Sequence, residues 1–554
     1  MTGAATPDPL DPDVPVIAAD RGRQYRELGL WRPEPVGTLA RAGRAIDPDR
    51  CAVVDGSRRL SHSQLDAAVT TAAWRLHELG IRPADRVGVQ LPNCLEFVVL
   101  VLALLELGAP PVLILPGFGE HELEHVLAAA RPVALAVSVG GRHTTSLGLA
   151  RRLRDRHKSL RTLLVLESDE TGEVDLAELC RPGAPERAGF PSKPATLADA
   201  AVFLLSSGTT GPPKVIARSH EGYGYMIRTA TGIAGISADS VYLAVMPAAH
   251  GFVFNCPGVL GTLAAGGRVV LGSPVDPHRA FALIEQEGVT HCALVPALVL
   301  QWLKAAPEST RDISTLEVVQ VGGARLNPAP AVQVHKELGA RVQQCYGMSE
   351  GLLCYTRLDD PDELATGTQG RPAAAADEVS IVDENGVPVA PGEIGELLTR
   401  GPYTVAGYYR DAAATAAAFT SDGFYRTGDL ASQDAAGYVV IHGRARDAIN
   451  RGGEKISPDE LEAIALQHQG IRYCAVVGAP HELYGEMVCL YAIAEPDAEL
   501  ELREVRRFLQ AKGLARYKLP ERLEVVDVLP MKGIGKLDKD ALREDARRRI
   551  AADR

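Results

Sequence analysis

Nine consecutive residues, Ser206-Ser207-Gly208-Thr209-Thr210-Gly211-Pro212-Pro213-Lys214, follow a short apolar run at Ala201–Leu205. They bring together hydroxyls, backbone N–H groups bared by glycine, and one lysine. A polyphosphate needs those three things: many donors, close backbone approach and a balancing positive charge. A plain Ser/Gly/Thr turn is the bland alternative, but this composition directly after a buried strand favours phosphate. A P-loop does not fit. That motif needs Gly, four residues, then Gly-Lys-Ser/Thr, whereas Lys214 follows Pro213 and precedes Val215. A second lysine, Lys536, closes Gly533-Ile534-Gly535-Lys536, where two glycines make a pliant loop able to carry charge into a site. By composition alone Lys536 is one more solvated lysine beside Lys532 and Lys539. His250, after Pro247-Ala248-Ala249, is a lone histidine of the kind that is usually structural.

The elements that must position these groups alternate. Val241–Met246, Cys292–Val295 and Glu317–Val321 read as strands, and Pro277–Gln286, with Phe281 and Ile284 on one face, as a helix between two of them. Such alternation predicts parallel sheets covered by helices. The most apolar run, Phe97–Leu115, is broken by Glu106, Gly108, Pro110 and Pro111, so it reads as a buried helix, a turn and a strand rather than a membrane span. The Ala-rich stretch Asp411–Ala418 reads as helical. Character changes after Gly437. The strand Gly437–Gly443 runs into a charged, Gly-rich loop, Arg444–Lys455. A helix (Asp459–His468), strands (Cys474–Gly478 and Val488–Ala494), a basic helix (Arg503–Lys512), a strand (Arg522–Val528) and a final helix follow. The expected fold is α/β: a large N-terminal domain of helix-covered sheets over 1–445, and a small α+β domain over 446–554, joined by a hinge.

Bulk properties set limits. A chain of 554 residues is too long for one core. A net charge of −12 argues against nucleic-acid binding over a broad surface. Within it, Leu502–Arg522 carries seven cations against Glu504 and Glu521, a local excess of +5 that suits an acidic partner or equally a solvated face. Nine cysteines, an odd number with no zinc spacing, predict reduced thiols and a cytoplasmic location. Met1–Asp20 has no basic stretch leading into an apolar one, so no signal peptide is expected.

The loop SSGTTGPPK resembles the signature of the adenylate-forming superfamily: acyl-CoA synthetases, peptide-synthetase adenylation domains and firefly luciferase. Four further segments match that family's motifs in order: Tyr346-Gly347-Met348-Ser349-Glu350, Tyr425-Arg426-Thr427-Gly428-Asp429, Gly443-Arg444 onward, and Gly533–Lys536. Stand-alone aryl-acid AMP ligases of the 2,3-dihydroxybenzoate type are the most similar branch. That likeness rests on Pro247–His250, Tyr355–Asp360, Arg400–Thr404 and Asn450–Lys455.

The resemblance implies two half-reactions: attack of a carboxylate on the α-phosphorus of ATP with loss of pyrophosphate, then transfer of the acyl group to a thiol. Both first reactants are anions, so the site must neutralise charge and align them. It implies Mg²⁺ bound by Glu350 with Thr210 nearby, and ATP held by Ser206, Ser207, Gly208, Thr209, Thr210 and Lys214. Adenine would lie against Tyr346, Gly347 and Met348, with close backbone approach at Gly323 and Ala324, while Asp429, expected in a tight Gly turn after the strand-like Phe424–Gly428, accepts from the ribose hydroxyls and Arg444 contacts ribose or phosphate. Lys536 would bridge the acyl carboxylate and α-phosphate, and His250 would close the site beside that carboxylate. Arg446 is the implied hinge, and Gly452 and Gly453 would line the path of a phosphopantetheine or CoA thiol.

The acid pocket implied by the resemblance comprises His250, Gly251, Phe252, Cys256, Gly322, Cys345 and Leu353. It departs from the dihydroxybenzoate pattern. Where those relatives carry Asn after the histidine, to bind the ortho hydroxyl, this chain has Gly251. The expectation is therefore an aromatic acid with a different ortho substituent: 3-hydroxyanthranilate first, 3-hydroxypicolinate next, then salicylate or 2,3-dihydroxybenzoate. The acceptor would be an aryl carrier protein or CoA, in siderophore or other nonribosomal-peptide-type biosynthesis. A general fatty acyl-CoA ligase is the nearest alternative, and the aryl-type Pro247–His250 and Asn450–Lys455 stretches argue against it. A regulator that has lost catalysis is opposed by Lys536, Glu350 and Asp429. A luciferase-like oxygenase is more remote.

Overall fold

The computed structural model describes residues 10–139, 145–167, 172–183, 196–206, 213–272, 276–451, 454–481, 484–496, 498–512, 514, 516–532 and 536–553. It divides into two compact units, one of Met1–Glu378 with Thr399–Tyr425, the other of Val379–Leu398 with Arg426–Arg554.

The first unit contains two helix-covered sheets. One has the strand order Val174–Asp175, Thr162–Leu166, Ala134–Ser138, Val87–Gln90, Pro111–Leu113, Ala200–Leu205, Val215–Ser219, parallel throughout except for the last pair. Its strands are continuous apolar runs because both faces are covered. Leu95–Leu107 is buried on nearly its whole circumference and ends at Gly108, whose φ of +74° forms a left-handed cap. Pro110 and Pro111 then start the next strand, as the interrupted apolar run predicted.

The other sheet has nine strands. Its centre, Arg341–Gly347, Val318–Val321, His291–Leu294, Val241–Ala244, Arg268–Leu271 and Cys51–Asp55, is parallel, and antiparallel strands flank it. The helix Pro277–Glu287 makes one crossover, started by Asp276 accepting from the His278 N–H and stopped by Gly288 at φ +62°. Val241–Ala244 is shorter than expected. The Asn93 amide donates to the carbonyls of Ala244 and Met246, pulling the chain out of the ladder.

The second unit holds most of a four-stranded sheet (Glu378–Val382, Gly395–Arg400, Tyr425–Gln433, Val439–Arg444) and a five-stranded one. The latter is covered on both faces, since alternate strand residues point to opposite sides. Val476, Val488 and Leu490 pack with Leu461, Val505 and Leu509 of Pro458–Ala465 and Leu502–Ala511. Val477, Cys489 and Tyr491 pack with Leu542 and Ala546 of Lys539–Ala552.

Two expectations need correction. The stretch Arg444–Lys455 is not a loop throughout: Ile449–Arg451 and Glu454–Ile456 pair as a hairpin, because Ile449 and Ile456 are cross-strand partners buried in the core. Asp429 does not sit in a turn after a strand. It lies within Tyr425–Gln433, where Gly428 at φ +69° and an irregular register between Leu430 and Ala431 kink the strand without ending it. The basic stretch is partly neutralised: Lys518 pairs with Glu460, Arg522 with Glu524 and Asp553, and Arg506 donates to the Pro520 carbonyl. All nine cysteines are free thiols. Among the described residues no helix is long and apolar enough to cross a membrane.

One carboxyl in the first unit is held in a costly place. Asp377 accepts from the Tyr403 hydroxyl at 2.5 Å and the Ala374 N–H at 3.1 Å, yet burial outweighs both and pushes its pKa up to about 7. An unfolded aspartate titrates near about 4. As pH rises through that window the unfolded chain loses the proton first. Stability therefore falls between the two values, by at most about 4 kcal/mol, and levels off above the upper one. Asp377→Asn cannot ionise and should show a smaller drop in denaturation midpoint than the native protein between about pH 5 and about pH 8. Equal drops would contradict a protonated Asp377.

Candidate active site

Parallel strands bring their carboxyl ends to one edge of a sheet, where ligands bind in open α/β folds. In the nine-stranded sheet that edge carries Met246–His250 after Val241–Ala244, Gly322–Ala324 after Val318–Val321, and Tyr346–Glu350 at the end of Arg341–Gly347. Three of the segments expected from sequence thus lie side by side.

His250 caps the short helix Gly251–Asn255, its Nδ1 accepting from the Phe252 N–H at 3.2 Å. The preceding turn is clamped by Asn93, whose Oδ1 accepts from the Ala248 N–H at 2.6 Å. Phe252 packs against the sheet end at Gly322. A Cβ on Gly322 would come within 3.0 Å of its Cζ and 3.2 Å of the Cys345 carbonyl, so glycine there leaves room for the ring. A side chain on Gly347 would collide with Leu353, which faces it across the antiparallel pair. Gly251, Phe252, Gly322 and Cys345 therefore share one wall, with Leu353 on the adjoining strand. Cys256 is buried behind it, and that burial pushes its thiol up to about 12, leaving it an inert apolar group. The Gly323 φ of +81° allows the chain to turn away at Ala324.

Ser206 and Lys214, the two ends of the candidate phosphate loop, are joined by two hydrogen bonds, Ser206 N–H to the Lys214 carbonyl and Lys214 N–H to Ser206 Oγ, each 3.0 Å. Ser207, Gly208, Thr209 and Thr210 lie outside the described residues. Lys214 Nζ sits over the Tyr408 ring, 4.4 Å from its centroid, and the Tyr408 hydroxyl donates to Glu350 Oε1 at 2.9 Å. Burial, with Glu350 beside it, drives the Tyr408 phenol far above its usual pKa, so it stays a donor. Glu350 is buried at 7% exposure, not a surface carboxylate. One of its oxygens is engaged by Tyr408. The other suits a Mg²⁺ that takes one or two protein oxygens and the rest from phosphates and water. Glu350 thus fits the ion as a single ligand; the proposed partner Thr210 is not described.

In the second unit Asp429 and Arg444 are directly opposed across antiparallel strands, with Nε to Oδ1 at 2.7 Å. The Asp429 N–H donates to Thr427 Oγ1, which itself donates to the Leu397 carbonyl. Lys536 begins the short strand Lys536–Leu537, paired with Met531–Lys532. Its two lysine neighbours are committed elsewhere. Lys532 reaches Asp538 and Asp540, both at 3.2 Å, and Lys539 is half-buried between Asp459 at 3.1 Å and Glu462 at 2.8 Å. Burial opposes the Lys539 charge, but the two carboxylates outweigh it and hold its pKa up. Arg446 falls in the one-turn 3₁₀ helix Ala445–Asp447, and Asp447 is held by Arg543 at 2.5 Å. Gly452 and Gly453 lie outside the described residues.

Sequence reasoning missed Asn93, Arg218, Tyr408 and Asn255. None sits in a motif that was read, and each acts by a contact remote in sequence. Only the apolar flanks of Tyr408 could have flagged it as buried.

The carboxyl-edge segments of the first unit, the Ser/Thr/Gly-rich stretch that follows Ala200–Leu205 in sequence, and the motifs carried by the second unit define an adenylate-forming enzyme. Residues 41–409 match the AMP-binding enzyme family and residues 460–536 its C-terminal domain. The chain is 46% identical to a 2-hydroxy-7-methoxy-5-methyl-1-naphthoate–CoA ligase of Streptomyces carzinostaticus, covering 96% of each chain. It is 44% identical to a salicylyl-CoA synthase / salicylate adenylyltransferase of a Streptomyces species, over 96% of this chain and 97% of that one. The apo structure of MbtA from Mycobacterium smegmatis superposes with a TM-score of 0.74 at 40% identity, over 96% of this chain and 98% of the other. The chain belongs to the AMP-binding enzyme family, on the branch of the aryl-acid AMP ligases.

The Tyr408–Glu350 bond gives a direct test. Losing a hydrogen bond to a charged group costs about 1.5–3 kcal/mol. Tyr408→Phe should therefore lower kcat/KM for Mg·ATP about ten- to a hundredfold in pyrophosphate exchange. An unchanged value would mean that Glu350 needs no help from Tyr408.

Proposed function

We propose that the protein joins an aromatic carboxylic acid to AMP and then passes the acyl group to a thiol on an aryl carrier protein or CoA. In the first step a carboxylate oxygen bonds to the α-phosphorus and the bond to pyrophosphate breaks. In the second, the sulfur bonds to the acyl carbon and AMP leaves. The observation that carries the reading is the wall formed by Phe252, Gly322 and Cys345 at the same sheet edge as Glu350. Its side chains are an aromatic ring, a glycine and a buried thiol, an apolar lining of the kind that holds an aromatic ring. The names of the naphthoate and salicylate relatives agree with it.

Lys214 and the phosphate loop hold the triphosphate, and Asp429 and Arg444 the ribose and its phosphate. Tyr346, Gly347, Met348, Gly323 and Ala324 form the adenine side. Mg²⁺, bound through Glu350, would supply positive charge against the phosphates. His250 closes the site beside the acid carboxylate. Lys536, by its place in the Gly533–Lys536 motif, is the lysine that bridges the two reacting anions. The functional boundary lies at Arg446, about which residues 446–554 reorient between the half-reactions, and Gly452 and Gly453 line the thiol path. The substrate is an ortho-substituted hydroxyaryl acid, 3-hydroxyanthranilate or a close analogue, in siderophore or related aromatic natural-product assembly.

Acid-dependent ATP–pyrophosphate exchange over a panel of aryl and fatty acids tests the reading; exchange only with fatty acids would refute it. Lys536→Ala should slow exchange about 10²–10³-fold without altering the fold. Wild-type rates from that variant would remove Lys536 from the first half-reaction. Arg446→Pro fixes φ near about −65° and should spare adenylation while slowing thioester formation. Equal slowing of both steps would deny Arg446 a hinge role.

A further inference from the structure

Gly251 leaves a gap in the wall of the acid pocket. A Cβ built there would meet only Asn255 Oδ1 at 3.4 Å and Leu204 Cδ1 at 3.6 Å, both ordinary contacts. Asn255 stands four residues on in the same short helix, so its side chain shares a face with position 251. It is 2% exposed. The Tyr223 hydroxyl donates to its Oδ1 at 2.6 Å. Its Nδ2 is turned to two soft acceptors, Cys256 Sγ at 3.2 Å and Met226 Sδ at 3.9 Å. The buried Tyr223 phenol needs an acceptor, and this fixes which end of the amide is oxygen. A carbonyl oxygen has two lone pairs. Tyr223 takes one, and the oxygen lies at the edge of the space above Gly251.

We propose that Asn255, held by Tyr223, is a specificity-determining residue that accepts a hydrogen bond from the ortho substituent of the acid, selecting an ortho-amino aryl acid. The inference rests on the pocket reading above and narrows it. An ortho amino group has two hydrogens: one bonds the neighbouring carboxylate of the acid itself, and the other reaches Asn255. An ortho hydroxyl has one hydrogen and must give up one of these bonds. A ring nitrogen at that place, as in 3-hydroxypicolinate, brings a lone pair against a lone pair and is rejected. Tyr223 is a positioning residue, because it touches the amide and not the acid. A site built to pair a polar group discriminates by powers of ten against a ligand that leaves it unpaired.

The experiment is acid-dependent pyrophosphate exchange with anthranilate, 3-hydroxyanthranilate, salicylate, 2,3-dihydroxybenzoate and 3-hydroxypicolinate. The native enzyme should favour the amino acids over their hydroxy counterparts at least about tenfold in kcat/KM. Asn255→Ser should shrink that ratio at least about tenfold, and Tyr223→Phe should shrink it less, because the amide is then loosened and not lost. Gly251→Asn, whose Cβ fits without strain, should move preference toward the hydroxy acids. A native preference for the hydroxy acids, or a ratio unmoved in an active Asn255→Ser enzyme, overturns the proposal. Should Asn255→Ser fail to fold, calorimetric titration of the native enzyme with anthranilate and salicylate decides: equal affinities overturn it. Exchange with no aryl acid at all would overturn the broader reading as well, and so is told apart from failure of this one.

Discussion

Arg218 is fully buried, and its guanidinium joins three segments distant in sequence. It stands on Val215–Ser219, the strand that leaves the phosphate loop, and donates to the Ser349 carbonyl at 2.5 Å and the Tyr403 carbonyl at 2.9 Å. Burial pulls its pKa below the usual arginine value. A buried cation is costly unless its hydrogen bonds are made, and breaking such an arrangement costs about 3–5 kcal/mol where a charge is left stranded. The chain therefore has little freedom to move the Ser349–Glu350 turn away from the loop that leads to Tyr408. The Val405 N–H to Glu350 carbonyl bond, at 2.8 Å, closes the same junction. Arg218 thereby ties the strand that follows Lys214 to the segments that carry Glu350 and Tyr408.

The nine-stranded sheet supplies the other half of that constraint. Parallel strands cannot be joined by tight turns, so each is followed by a loop and usually a helix, and the loops collect at one edge. Gly322–Ala324, Tyr346–Glu350 and Met246–His250 owe their proximity to this topology rather than to direct bonds. Asn93 adds a link between the two sheets: it follows Val87–Gln90 of one and clamps the chain leaving Val241–Ala244 of the other. The wall at Phe252 and Gly322 and the Ser206–Lys214 pair are thereby tied to one another within the first unit.

Much of this was legible in the sequence because the chemistry is local. Ser206–Lys214, Tyr346–Glu350 and Tyr425–Asp429 are contiguous motifs, and the strand–helix alternation around Pro277–Glu287 has a clear period. What was not legible depends on tertiary pairing. The hairpin Ile449–Ile456 looked like a loop, since its charged and glycine residues outnumber the two isoleucines that pack inward. Tyr408 and Arg218 carry no local signature of function; what matters is which backbone they meet. The ion pairs of Lys532 and Lys539 were likewise hidden, because Asp459 and Glu462 are remote in sequence from Lys539, and the turn of Asp538 and Asp540 toward Lys532 is a matter of folding.

The acid pocket shows the same limit in its sharpest form. Compared position by position, replacing Asn by Gly251 reads as loss of the polar reader of the ortho substituent. A helix makes residues four apart neighbours, so an amide can be delivered to the same space from position 255 with its direction reversed. An amide at 251 would reach into the pocket from its own backbone and could offer either end. Asn255 comes from one turn further along, and Tyr223 fixes which end it presents. Selectivity in such a wall is set by which end of a dipole faces the ligand. That depends on what stands behind the dipole, here a buried tyrosine thirty-two residues away in sequence.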